Sequence, residues 1–173
     1  MREIEEDMLI RFTKKRDGTT TLTCVRDDGT VTGQRQKYGG FFVPHDLGHY
    51  AIETTLGLRL AFWGLLNYRG WEITDFGTPW PRGPIPPDAA GDAMLAEHLA
   101  GMLDGERNGT LEPQTAEAMN ATLAAQFAQL PNAPPLRLVT DDELTRIRAT
   151  VADLSLRWRA LPMGEVLELP FPS

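Results

Sequence analysis

MLIRFTKKRDGTTTLTCVRDDGTVTGQR (residues 8–35) divides into three short runs separated by two Asp-Gly pairs. In the first run Met8, Ile10 and Phe12 alternate with Leu9, Arg11 and Thr13, the period of a half-buried strand. Asp17-Gly18 turns the chain, and Thr19 to Arg26 then places Leu22 and Cys24 on one face. Asp28-Gly29 turns it again ahead of Thr30 to Arg35. Two such turns between alternating runs predict an antiparallel three-stranded meander. So small a sheet needs a cover for its apolar face, and the chain downstream has helices to supply it. The expected class is therefore α+β, a three-stranded antiparallel meander followed by about five helices. Cys24 is expected in the core, because a strand position without a cationic cluster does not activate a thiol.

A length of 173 residues suits one domain, residues 1–173, since two independent cores would each be small. The formal net charge of −7 opposes non-specific binding to nucleic acid or to an anionic membrane surface. Arginine outnumbers lysine 14 to 3, which with the many alanines points to a GC-rich bacterial genome. With one cysteine there is neither an internal disulfide nor a Cys-based zinc framework, so a reducing, cytoplasmic setting is expected. The acidic start MREIEEDM has no signal-peptide pattern, and no stretch approaches the roughly 20 apolar residues of a membrane span.

Beyond the meander, Tyr38-Gly39-Gly40 reads as a joint and Pro44 as the opening of a helix that runs to Leu56 and stops at Gly57. Leu58 to Asn67 is apolar nearly all round, the mark of a buried helix, and Gly70 closes it. Trp71 to Phe76 reads as a short extended piece, and the proline-rich Gly77 to Pro87 as a loop or lid. A third helix is expected from Asp88 to Met102 or Leu103, ended by Gly105 or Gly109. A fourth runs from Pro113 to Leu130, stopped by Pro131. Thr140-Asp141-Asp142-Glu143 is a capping box. It opens a fifth helix on which Leu144, Ile147, Val151, Leu154, Trp158 and Leu161 share a face, and Val166 to Leu169 returns as a strand.

Two of the three histidines, His45 and His49, lie four residues apart on the first helix, on one face and one turn apart, as two metal ligands from a single helix must. Glu53 follows on that face with Ile52 and Leu56, so the polar residues share their side with apolar ones, as in a buried polar site. Glu53 is about 12 Å along the axis from His45, too far to share one ion with it. Its two possible roles are a second ion shared with His49, or orientation of His49 from behind. Asp46 complements the helix dipole or handles protons. The third ligand must come from another element. His98, with Glu97 beside it, is the first choice, and Glu72, Asp75 and Asp92 are the alternatives. Trp63, Trp71 and Trp80 follow the motif and could wall a pocket, although Trp63 fits the core better.

His45-Asp46-x-x-His49 resembles the HExxH pattern of the zincins, a resemblance that implies zinc and makes Asp46, one methylene shorter than glutamate, the general base. It also resembles the zinc motif of the accessory protein family of coenzyme Q biosynthesis, HDxxH followed after eleven residues by Glu. Ala61 stands where that closing ligand would be. No phosphate-binding glycine loop, GxSxG elbow or Cys-His nucleophile pairing stands out. The expectation is a protein that binds a divalent metal, zinc first, at His45, His49 and His98. Its activity would be that of a metal-dependent hydrolase of an unknown small-molecule substrate, with Asp46 or Glu53 moving protons. The alternative is a non-catalytic interaction or small-molecule-binding domain whose histidines are structural.

Overall fold

The computed structural model describes residues 7–37, 39–76, 85–130 and 132–172. Tyr38, the segment from Gly77 to Pro84 with Trp80, on which most of the expected loop or lid falls, and Pro131 lie outside the described residues, as does the side chain of Asp75. Three strands, β1 (Met8–Lys14), β2 (Thr20–Val25) and β3 (Val31–Gln36), form the expected meander. Gly18 and Gly29 adopt the left-handed backbone that these turns require, with φ of +80° and +78°. Asp17 Oδ1 and Asp28 Oδ1 brace them, accepting from the Thr19 and Thr30 N–H groups at 3.0 and 2.8 Å. The C-terminal return is a full fourth strand, β4 (Val166–Phe171), paired antiparallel to β1, and the sheet order is β3-β2-β1-β4. The sheet is thus four-stranded rather than three-stranded.

One face of this sheet carries Met8, Ile10 and Phe12 from β1, Leu22 and Cys24 from β2, and Leu167, Leu169 and Phe171 from β4, all buried. On β3 the same face is polar. Thr32, Gln34 and Gln36 stand opposite Cys24, Leu22 and Thr20. Burial pushes the Cys24 thiol up to about 12, with the nearby Asp46 carboxylate adding to the rise against the pull of Arg26, so it stays protonated as a core residue.

The helices are α1 (Gly39–Leu56), α2 (Phe62–Tyr68), α3 (Ala90–Arg107), α4 (Ala116–Phe127) and α5 (Asp141–Ala160). Ile73–Phe76, expected to be extended, is a single 3-10 turn. The first helix begins at Gly39 rather than Pro44, which lies inside it. Gly39 packs against β2 where a Cβ would come within 2.1 Å of Thr20 Oγ1, so only glycine lets the helix start there. Leu58 to Ala61 are not helical. Instead Asp92 Oδ2 accepts from the Arg59 and Leu60 N–H groups at 3.2 and 3.1 Å, and the helix follows at Phe62. The third helix continues past Gly105 to Arg107, and Gly109 with φ +71° terminates it. No helix among the described residues is long and apolar enough to cross a membrane.

Two apolar clusters fill the interior, and α1 and α5 each contribute to both. Val43 and Leu47 of α1 and Leu154 and Trp158 of α5 pack with the sheet and Trp63, while Ala51, Ile52, Leu144 and Ile147 pack with α3 and α4. At the start of α5 the capping box is complete. Thr140 Oγ1 accepts from the Glu143 N–H at 3.2 Å, and Glu143 Oε2 accepts from the Thr140 N–H at 3.0 Å. At its end Lys14 of β1 donates to the Trp158 and Leu161 carbonyls at 3.1 and 2.9 Å, tying the last turn to the sheet. Thr140→Ala therefore removes one helix cap without touching the core. It is expected to lower unfolding free energy by about 1 kcal/mol in urea titration at an unchanged m-value.

Candidate metal centre

α1 and α3 lie side by side and run antiparallel, because His49 faces Glu97 while His45, one turn earlier, faces Asp104, seven residues later. The two imidazoles sit with ring centroids 4.8 Å apart. His45 Nδ1 donates to Asp104 Oδ2 at 2.7 Å, a direction set by the carboxylate, which only accepts when ionised. That leaves Nε2 as the ring nitrogen not engaged with Asp104. Although burial opposes its charge, Asp104 is held below the ordinary carboxylate range by His45 and by Arg107, whose guanidinium lies 2.8 Å from Oδ1.

His49 is buried between two carboxylates, with Glu53 Oε1 3.4 Å from Nδ1 and Glu97 Oε2 3.3 Å from Nε2. The Glu53 contact is an ion pair without hydrogen-bond alignment. Burial works against a charged imidazole here, but the two carboxylates outweigh it and hold His49 well above the ordinary histidine range. Glu53 is itself 1% exposed, and its other oxygen, Oε2, accepts from the Trp63 and Gly64 N–H groups at 2.9 and 3.2 Å. Burial raises its proton affinity, against the pull of His49 and the two amides. Glu53 therefore fastens the start of α2 and backs His49. Of its two expected roles, the geometry brings together, among the described residues, only the parts for orienting the histidine.

His45, His49 and Glu97 each offer a ligand atom, and these atoms lie within 4.8 Å of one another. A tetrahedral zinc ion with bonds near 2.1 Å sets its ligand atoms roughly 3.4 Å apart, so the group needs to close by about an ångström. Glu97 Oε2 and His49 Nε2 are already 3.3 Å apart, so the closure is needed at His45. This His, His, carboxylate group can hold a metal ion, and each histidine already has a carboxylate on its Nδ1, the support commonly found behind a ligating imidazole.

The residue grouped with His45 and His49 is Glu97, the neighbour of the expected His98. The ring of His98 faces the other way, toward Phe127 with centroids 6.1 Å apart, and its Nε2 is buried without a hydrogen-bond partner among the described residues. Two of the other candidate acids, Glu72 and Asp92, are engaged elsewhere. Glu72 lies 3.6 Å from the buried Arg26, and Asp92 holds the loop before α2. Asp104 escaped sequence reasoning because Gly105 looked like a helix stop. Its signal was the spacing from Glu97, since seven residues return to the same helix face.

The edge that carries His45, His49 and Glu97 opens into a cleft of about 490 Å³. Gln34 and Gln36 of β3 form one wall, and Phe42, Phe62, Ile73 and Met94 line the rest. Among the described residues, aromatic lining comes from these phenylalanines rather than from Trp63 or Trp71. Trp63 is fully buried edge-on to Phe12, and Trp71 packs against the sheet cluster. Asp46 also lines the cleft, 8% exposed, with Oδ2 accepting from Gln36 Nε2 at 2.9 Å. Because α1 starts at Gly39, Asp46 lies beyond the first turn, where a helix dipole would favour an acid, and His45 is likewise not at the helix terminus. No family model, curated protein or solved structure matches the chain.

Burial lifts the Asp46 carboxyl to about 6, against the pull of Gln36, His45 and His49. An acid whose folded pKa is raised binds its proton more tightly folded than unfolded. Its charged form therefore costs stability, starting above the unfolded pKa of about 3.9 and reaching its full size of roughly 3 kcal/mol above the folded one. Asp46→Asn keeps an acceptor for Gln36 without the charge. In urea titrations it is expected to stabilise the metal-free protein by about 1–3 kcal/mol at pH 7.5, an advantage that vanishes toward pH 4.

Proposed function

We propose that the protein binds one divalent metal ion, zinc in preference, through His45, His49 and Glu97, and acts as a metal-dependent hydrolase on a small molecule held in the adjoining cleft. The observation that supports this most is the convergence of two imidazoles and a carboxylate from two helices beside that cleft. Three protein ligands of this kind leave a fourth coordination position open, the pattern of catalytic rather than structural zinc. A bound dication there supplies Lewis acidity. Asp104 and Glu53 fix the ring orientations from behind, and Phe42 and Phe62 limit access of water. Asp46, in the same cleft with its proton affinity moved toward neutral, is the group suited to take up and return a proton.

Elemental analysis of untagged protein, after incubation with zinc and removal of the excess, is expected to find about one ion per chain. His49→Ala and Glu97→Gln should each abolish retention, and His98→Ala should leave it intact. Substoichiometric zinc in the parent protein would remove the basis of the proposal. Because the metal must displace the proton that His49 holds between its two carboxylates, uptake at pH 7 is expected to release about one proton. Calorimetry in two buffers of different ionisation enthalpy measures that number directly.

One observation favours a second reading, in which the histidines are structural. His45 pairs with Asp104 and His49 with Glu53 and Glu97, so the cluster has internal partners without an ion. On that reading zinc leaves the melting temperature of the metal-free protein unchanged. On the metal-binding reading zinc raises it.

A further inference from the structure

A second cavity, of about 420 Å³, lies where the C-terminal end of α3 borders α5, and it shares no lining residue with the cleft at His45 and His49. Its size suits a small organic molecule. On α5 the residues Arg148, Ala152, Ser155 and Arg159 recur every three or four positions, so they present one face to it. Leu103, Val151, Ala152 and Leu156 make the lining apolar, and Leu156 is 60% exposed, so that lining is open to a ligand.

The charged groups around this apolar lining are unequal in number. Arg107, Arg148 and Arg159 face a single lining carboxylate, Glu106, in a chain whose net charge is −7. Arginine keeps its charge in proteins, so the excess does not depend on titration. The three guanidiniums also differ in what they have left to donate. Arg148 is spent, with Nε and Nη2 donating to the two oxygens of Glu106 at 3.0 and 2.6 Å and Nη2 also to the Gln114 carbonyl at 2.7 Å. Arg107 gives one N–H to Asp104 Oδ1 at 2.8 Å. The guanidinium of Arg159 has no hydrogen-bond or ion-pair partner among the described residues. A basic residue in a last helical turn ordinarily answers the free carbonyls there. At the end of α5 Lys14 does so instead, donating to the Trp158, Arg159 and Leu161 carbonyls at 3.1, 3.3 and 2.9 Å. The Arg159 side chain is thereby left to the cavity, and its planar fork of donors matches a carboxylate.

We infer that this cavity binds a small organic acid with an apolar body, its carboxylate held by Arg159 and its body against Leu103, Val151, Ala152 and Leu156. The site goes beyond the proposed function and works without a metal.

Three probes separate head from body: octanoate, its neutral amide octanamide, and acetate, titrated by calorimetry at pH 7.5 into chelator-treated protein, in which no ion holds a carboxylate elsewhere. Octanoate is expected to bind about ten-fold tighter than octanamide, and acetate, which has the head without the body, more weakly still. Arg159→Met should bring octanoate down to the affinity of octanamide, and Ala152→Trp, which fills the cavity, should weaken both. Each substitution is at an exposed position, and a thermal melt like that of the parent checks its folding. Octanamide or acetate binding as tightly as octanoate would overturn the inference. So would octanoate affinity unchanged in either variant, or no saturable binding of octanoate at millimolar concentration. Self-association of the parent chain that Ala152→Trp abolishes and octanoate leaves unchanged, read by sedimentation, would give the cavity to a second copy and overturn it as well.

Discussion

Glu53 is an ionisable carboxylate almost completely removed from water, and much of the structure around it can be understood as the compensation it requires. A buried carboxylate is tolerated only when its oxygens are matched by donors or positive charge. One oxygen receives the first amides of α2, and the other faces His49. The same side chain therefore fixes where the second helix begins and keeps the imidazole of His49 turned toward α3. Removing it would leave two helix-terminal N–H groups and a buried histidine without their partner. This coupling makes the middle of α1 both a piece of core and the back wall of the site.

The sheet contributes through a change of character across its width. From β4 to β2 the covered face is apolar and carries the packing of α1, α5 and Trp63. At β3 the face turns to threonine and glutamine, and the N-terminal half of α1 passes over this polar edge. Thr32 Oγ1 accepts from the Ile73 N–H at 3.0 Å, and Gln36 engages Asp46, so the edge is joined to its neighbours by hydrogen bonds rather than by close apolar packing. The cleft lies here, between a polar strand and the helix faces that carry His45, His49 and Glu97. The burial that raises Asp46 and the opening of the cleft come from the same arrangement.

Much of the fold was legible in the residue pattern because its signals are local. Asp-Gly pairs permit the turns, period-two alternation chooses the sheet face, and the capping box at Thr140 specifies a helix start from four adjacent residues. Errors fell where a distant contact overrode a local preference. Gly39 starts α1 early because it fits against Thr20. Leu58 to Ala61 remain unwound while Asp92 holds their amides, and Gly105 stays helical where a Cβ would come within 2.6 Å of Leu111. In each case the deciding partner is ten or more residues away or belongs to another element, except Leu111, which lies just past the end of the same helix.

For the site, the residue order by itself determined that His45 and His49 share a helix face, because a four-residue spacing fixes this whatever surrounds the helix. It also placed Asp46 and Glu53 near them. Only the tertiary structure decided what each acid does and which residue completes the group. The antiparallel packing of α1 on α3 brings Glu97 to His49 and Asp104 to His45, and it turns His98 away toward Phe127. Adjacent residues on a helix point about 100° apart, so Glu97 and His98 could not both face α1, and the packing angle of two helices cannot be read from either one alone.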